Sequence, residues 1–160
     1  MIVGLDLLFL VPGETGGRET HARELVRAMA ALDGRPELVA FIGADAAAQG
    51  AGWWTEHADR VVVLSRVSAR RRAAWALGEL VALPRAAARA GVDVLHGIAN
   101  FAPPAGPFAR VLTLHDVLFR VRPELVPLAA RLGTEALVPP AARRAHRVIT
   151  VSAASRDDIV

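Results

Sequence analysis

The chain has 160 residues, 53% of them hydrophobic and 22% charged, which is the size and mix of one globular domain able to bury roughly two thirds of its unfolded surface. That excludes a disordered tail, a disulfide mini-protein and a coiled coil, and it accommodates one full-sized domain rather than two. The net charge is only +3 and every basic residue is Arg, with no Lys, Tyr or Cys, so the sequence pI of about 11.1 reports missing titrating groups rather than a positive field, and no nucleic-acid partner is implied.

Residues 2–11 form a near-continuous apolar run with one internal charge, Asp6, and read as a first strand. The turn Pro12-Gly13-Glu14-Thr15-Gly16-Gly17 follows. Ala22, Leu25, Val26, Met29 and Leu32 then recur on one helix face, with Glu19 and Arg23 in the favourable i, i+4 order and Asp33-Gly34 as the stop. Residues 38–42 and 60–64 read as buried strands. Between them lies a short Ala-rich helix or loop carrying Trp53-Trp54, a pair suited to a peripheral anchor, an acceptor contact or packing. Residues 68–90 are helical, with a break or kink expected at Pro84.

Residues 92–96 read as a fourth strand, 100–107 as a Pro-rich loop and 110–115 as a fifth strand. Residues 123–145 are helical with an expected break at Pro139-Pro140, and residues 147–151 are a sixth strand. A last helix starts near Ser152, where Ser155-Arg156-Asp157-Asp158 has the pattern of a capping box. Short apolar strands alternating with helices predict βαβ units, and hence a single Rossmann-like, doubly wound parallel sheet with helices on both faces.

The N-terminal run lacks a basic leader and a small-residue cleavage pattern. The longest uncharged run, 94–109, is interrupted by His96, Asn100 and three prolines. Neither a signal peptide nor a membrane span is expected, and a cytoplasmic location is the default. Without cysteine there is no disulfide framework, thiolate metal site or thiol nucleophile.

Ligands of open parallel sheets bind beyond the carboxyl ends of the strands. Gly16 and Gly17 enter a helix there, which suits a phosphate contact but equally a tight turn needing positive φ. Their spacing is neither the dinucleotide fingerprint nor a P-loop, which would need a Lys. His115 and Asp116 end the fifth strand, where an imidazole can hydrogen-bond or donate a proton near neutral pH. His96 with Asn100 ends the fourth strand, and His21 lies one turn into the first helix. Two histidines without an acidic cluster do not make a metal site, and no metal is expected. Arg70, Arg71 and Arg72 beside an apolar helix face suit either an anionic membrane surface or solvated charges over a core helix.

Taken in order, Thr15-Gly16-Gly17-Arg18-Glu19-Thr20-His21, Asp93-Val94-Leu95-His96-Gly97 with Asn100, Thr113-Leu114-His115-Asp116, and residues 145–159 around Val148-Ile149-Thr150-Val151-Ser152 resemble the N-terminal half of a family 4 glycosyltransferase of the GT-B fold. The resemblance implies an acceptor-side domain. In it, Gly16 and Gly17 approach the donor diphosphate, His115 contacts the donor sugar at the reaction centre, and His21, His96, Asn100 and Asp116 line the cleft. It implies a nucleotide-diphosphate sugar as co-substrate, transfer with retention, no metal or other cofactor, and a possible membrane contact through Arg70 to Arg72. The second, donor-binding Rossmann domain of that family has no counterpart in these residues. The chain is therefore expected to be inactive alone, and to need that domain or a partner chain. A non-catalytic glycan- or phosphate-binding domain is the alternative; a stand-alone nucleotide-cofactor enzyme is disfavoured by the missing glycine fingerprint.

Overall fold

A computed structural model describes residues 1–159. Six strands, β1 (Ile2–Leu7), β2 (Glu37–Gly43), β3 (Arg60–Leu64), β4 (Val94–Gly97), β5 (Ala109–Leu114) and β6 (Arg147–Thr150), form one sheet. All pairings are parallel, in the order β3-β2-β1-β4-β5-β6. The central strands are apolar on both sides because both faces are covered: Leu5, Leu38, Phe41 and Leu95 are fully buried.

The helices are α1 (Gly17–Ala30), α2 (Ala44–Ala47), α3 (Trp53–His57), α4 (Arg72–Leu77), α5 (Leu83–Arg89), α6 (Leu118–Val121), α7 (Leu128–Arg144) and α8 (Ala153–Ile159). One face packs Leu5 and Leu7 against Ala22 and Val26 of α1 and Trp54 of α3. The other packs Phe41 and Leu95 against Leu83 and Ala87 of α5. A third cluster joins Leu112 and Leu114 of β5 to Phe119 of α6 and to Val138 and Ala141 of α7. This is the Rossmann-like α/β sheet that the alternation of strands and helices predicts. Trp54 is core, and Trp53 packs edge-on against it with ring centroids 5.6 Å apart.

Several boundaries differ from the sequence expectation. The first strand stops at Leu7 rather than at residue 11. The Asp6 carboxylate accepts the Leu8 N–H at 3.1 Å, and Leu10 N–H turns back to the Leu7 carbonyl at 3.1 Å. Leu8, Phe9 and Leu10 are nevertheless buried, so their apolar character specifies burial of a turn and not extension. Leu32 lies beyond α1 and is exposed.

The expected break at Pro84 takes the form of a π-helical turn, Gly78–Ala82, immediately before α5. Widening the backbone there accommodates a residue that cannot donate. Pro139 and Pro140 do not break α7, which continues through both. An interior proline costs about 3 kcal/mol; burial of Val138 and Ala141 on either side provides the opposing term. The last helix is capped by Ser152, whose Oγ accepts the Ser155 N–H at 3.0 Å, three residues before the expected cap.

Gly97 ends β4 where a Cβ would collide with the carbonyl oxygen of Phe101. The loop after β4 therefore doubles tightly back over the strand end, which brings Asn100 and Phe101 to the carboxyl edge of the sheet.

Candidate functional site

The strand order reverses between β1 and β4, and such a switch point opens a crevice at the carboxyl ends. The turn after β1 enters it first. Thr15 Oγ1 accepts the Val11 N–H at 2.9 Å and donates to the Val11 carbonyl at 2.8 Å, while the Glu19 carboxylate accepts the Gly13 N–H at 2.9 Å. Gly16, at φ 65°, caps α1 without any side-chain hydrogen bond. Gly17 has no positive φ, and nothing lies within 4 Å of a Cβ built on either glycine. The Gly17 and Arg18 amides, in the first helical turn, have no intrahelical acceptor, so a dipole-favoured anion position is left unobstructed.

His115, at the end of β5, is fixed at three points. Its N–H donates to Asn100 Oδ1 at 2.7 Å, its carbonyl accepts Ser155 Oγ at 2.8 Å, and its Nε2 lies 2.8 Å from the Ile98 carbonyl. A carbonyl only accepts, so Nε2 carries the proton and Nδ1 is the ring's remaining acceptor. Asn100 reaches His115 from a left-handed conformation, φ 66°, with its own N–H on the Thr113 carbonyl at 3.0 Å. Asparagine tolerates that conformation better than most residues.

His21 sets its ring edge-on to His115, with centroids 4.9 Å apart at 86°. Its Nε2 is buried with no hydrogen-bond partner. Burial, and then the neighbouring His115, hold its pKa below the usual imidazole value. His96 is only 6% exposed and bonds Thr113 Oγ1 at 2.8 Å. Burial, and then His21, push it down to about 4, so it is a neutral ring beneath the site and not part of the cleft wall. Asp116 is exposed; its carboxylate accepts the Leu118 N–H at 3.0 Å at the start of α6, away from the main cleft.

The arginine run divides. Arg70 pairs with Glu14 at 2.6 Å and approaches Asp45 at 3.6 Å. Arg72 turns into the crevice. Arg71 is exposed at the N-cap of α4. The three do not share one free basic face.

The crevice widens into a cleft of about 470 Å³ between α4 and α7. Phe9, Trp75 and Phe101 form apolar walls, with the Trp75 and Phe101 rings 5.7 Å apart, and Gly133 lies on the α7 side. Arg18 and Arg72 supply its charge, and Asn100 joins it to the His115 region. Of these, sequence reasoning assigned Asn100 to the cleft and gave Arg72 as a membrane contact or solvated charge, while Arg18 entered only as part of the Thr15–His21 segment. Arg18, directly after Gly16-Gly17, and Gly133, a glycine inside a helical pattern, were the available signals.

A second feature escaped the sequence reading. Asp6 and Glu79 are both buried and meet between β1 and the π-helical turn. Desolvation raises Asp6 to about 6, against the hydrogen bonds that it accepts. Desolvation, and then the Asp6 charge, raise Glu79 well above its ordinary value, which favours its protonated form.

Among the described residues, no three His, Cys, Asp or Glu side chains gather as a metal site, and no helix is long and apolar enough to cross a membrane. An open glycine turn starts α1 at the switch point of a parallel α/β sheet, and His115 packs against His21 of the same helix. The model of Glycosyltransferase Family 4 matches residues 15–160, and the chain belongs to that family. No curated protein and no solved structure matches it.

Proposed function

We propose that this glycosyltransferase-family domain is the acceptor-side half of a retaining GT-B enzyme, which moves a sugar from a nucleotide-diphosphate sugar to an acceptor. The observation that carries the reading is the uncapped, unobstructed start of α1 at Gly16-Gly17 beside the clamped His115. In this assignment the Gly17 and Arg18 amides receive the donor diphosphate, His115 Nδ1 accepts a hydrogen bond from a hydroxyl of the donor sugar, and the α4–α7 cleft holds the acceptor.

The same geometry limits what the chain does alone. Two amides and a helix dipole supply partial charge, and departure of a nucleoside diphosphate calls for fuller neutralisation with donor and acceptor held in register. We assign that task to a donor-binding domain or partner chain. Exposed Leu118, Val121, Leu125, Leu128, Leu132 and Val151 support such a cover: they follow β5 and β6 at the carboxyl edge of the sheet, and exposed apolar surface of this kind marks an interaction site.

The test is a transfer assay with the purified chain, labelled UDP-glucose and GDP-mannose, and a panel of acceptors. The expected result is no transfer above background. Robust turnover without a partner would contradict the half-enzyme reading.

A further inference from the structure

We propose that the α4–α7 cleft takes an apolar molecule that carries a phosphate. The phosphate sits between Arg18 and Arg72, and the apolar part lies along Phe9, Trp75 and Phe101 toward Gly133. This names the acceptor class of the site assigned above and rests on that assignment.

Charge is the first support. Arg18 and Arg72 line one cleft, and no carboxylate lines it with them. Among the described residues neither makes an ion pair or a side-chain hydrogen bond, whereas Arg35, Arg60, Arg70 and Arg120 each hold a carboxylate at 2.6 Å. Arg18 instead lies with its guanidinium 6.0 Å from the centre of the Phe9 ring. Two guanidiniums facing one space without a counter-ion match a phosphate, and their forked donors suit its oxygens.

Polarity is the second. Beyond the arginines, only Asn100 and Thr134 bring polar side chains to the cleft. Asn100 Oδ1 is committed to the His115 N–H, and Thr134 Oγ1 donates to the Ala130 carbonyl at 2.8 Å. A bare sugar would find few partners here. A bare anion would gain nothing from the aromatic walls.

Gly133 is the third. It lies inside the 17-residue α7, where glycine costs about 1 kcal/mol relative to alanine. Its φ is not positive, and nothing lies within 4 Å of where its Cβ would be. Neither backbone conformation nor packing calls for glycine there. What its missing side chain provides is space in the cleft.

The experiment is calorimetric titration of the full chain with three probes: dodecyl phosphate below its micelle concentration, inorganic phosphate, and dodecyl maltoside. Dodecyl phosphate is expected to bind at least about tenfold more tightly than either of the others. Arg72→Gln is expected to weaken it about tenfold. Gly133→Leu is expected to abolish binding without lowering the thermal midpoint, since leucine is the better helix former. Arg143→Gln, on the exposed side of α7, should leave binding unchanged. Equal affinity for inorganic phosphate would reduce the cleft to an anion site. Equal affinity for dodecyl maltoside would reduce it to an apolar groove. Undiminished binding by a folded Gly133→Leu chain would place the ligand elsewhere. Any of these three overturns the inference. Cleft-dependent binding, together with failure of the completed enzyme to glycosylate a hydroxyl-bearing ligand of this class, would instead contradict the proposed function and leave the ligand chemistry standing.

Discussion

Gly16 and Gly17 are adjacent, yet the fold constrains them differently. Gly16 sits at φ 65° and ψ −137°, a backbone region that glycine adopts and side-chain-bearing residues avoid, whereas Gly17 is free of that constraint and of steric contact. The tight-turn explanation therefore covers the first glycine, while neither backbone conformation nor packing calls for the second. The sequence placed both glycines and His115 at the sheet edge, because strand-end position follows from periodicity alone. It did not show that Asn100 clamps His115, or that Asp6 meets Glu79, because those contacts join segments far apart in the chain.

The acid pair has a pH signature. His96, held at about 4 against 6.5, withdraws stability as pH falls below 6.5. Asp6, held at about 6 against 3.8, withdraws it as pH rises from 3.8 to about 6, so the two oppose each other over much of one window. Glu79, raised by burial and then by the Asp6 charge, acts in the same direction as Asp6, since its folded state holds a proton that the unfolded carboxylate has released, and stability falls as pH rises. Glu79→Gln retains a hydrogen-bond donor and removes the titration. As pH rises above the ordinary carboxylate range, the urea midpoint of the parent chain is expected to fall relative to that of Glu79→Gln. The same pH dependence in both chains would refute a raised Glu79 pKa.

At the scale of elements, the strands of the sheet centre were legible because a parallel sheet covered on both faces leaves continuous apolar runs. The same rule over-extended β1, since a buried turn at Leu8–Leu10 looks identical to a strand. Prolines signalled departures from regular helix but not their form. Pro84 is absorbed by a π-helical turn, while Pro139 and Pro140 sit within an unbroken α7. The loop after β4 depends on Gly97, where added volume meets backbone that cannot rotate away. Gly97→Ala is expected to lower unfolding stability by about 1–3 kcal/mol, read from the urea midpoint, and to disturb the Asn100–His115 bond that the loop delivers. A midpoint within a few tenths of a kcal/mol of the parent would show that the loop has more freedom than its contacts imply.

For the whole molecule, one six-stranded sheet places a glycine turn, a clamped imidazole and an arginine-bearing cleft along a single edge. The edge was legible in the sequence, but the cleft was not, because α4 and α7 meet only through tertiary packing. Val148 and Ile149 on β6, the terminal strand beside β5, are exposed apolar residues as well. The central claim is that this domain contacts the donor only through its diphosphate and sugar. Amide chemical-shift mapping during titration with UDP-glucose tests it most directly. The account predicts weak binding, about millimolar, with shifts concentrated at Gly16, Gly17, Arg18 and His115. Micromolar binding centred elsewhere, or no shift at those amides at about 10 mM ligand, would contradict it.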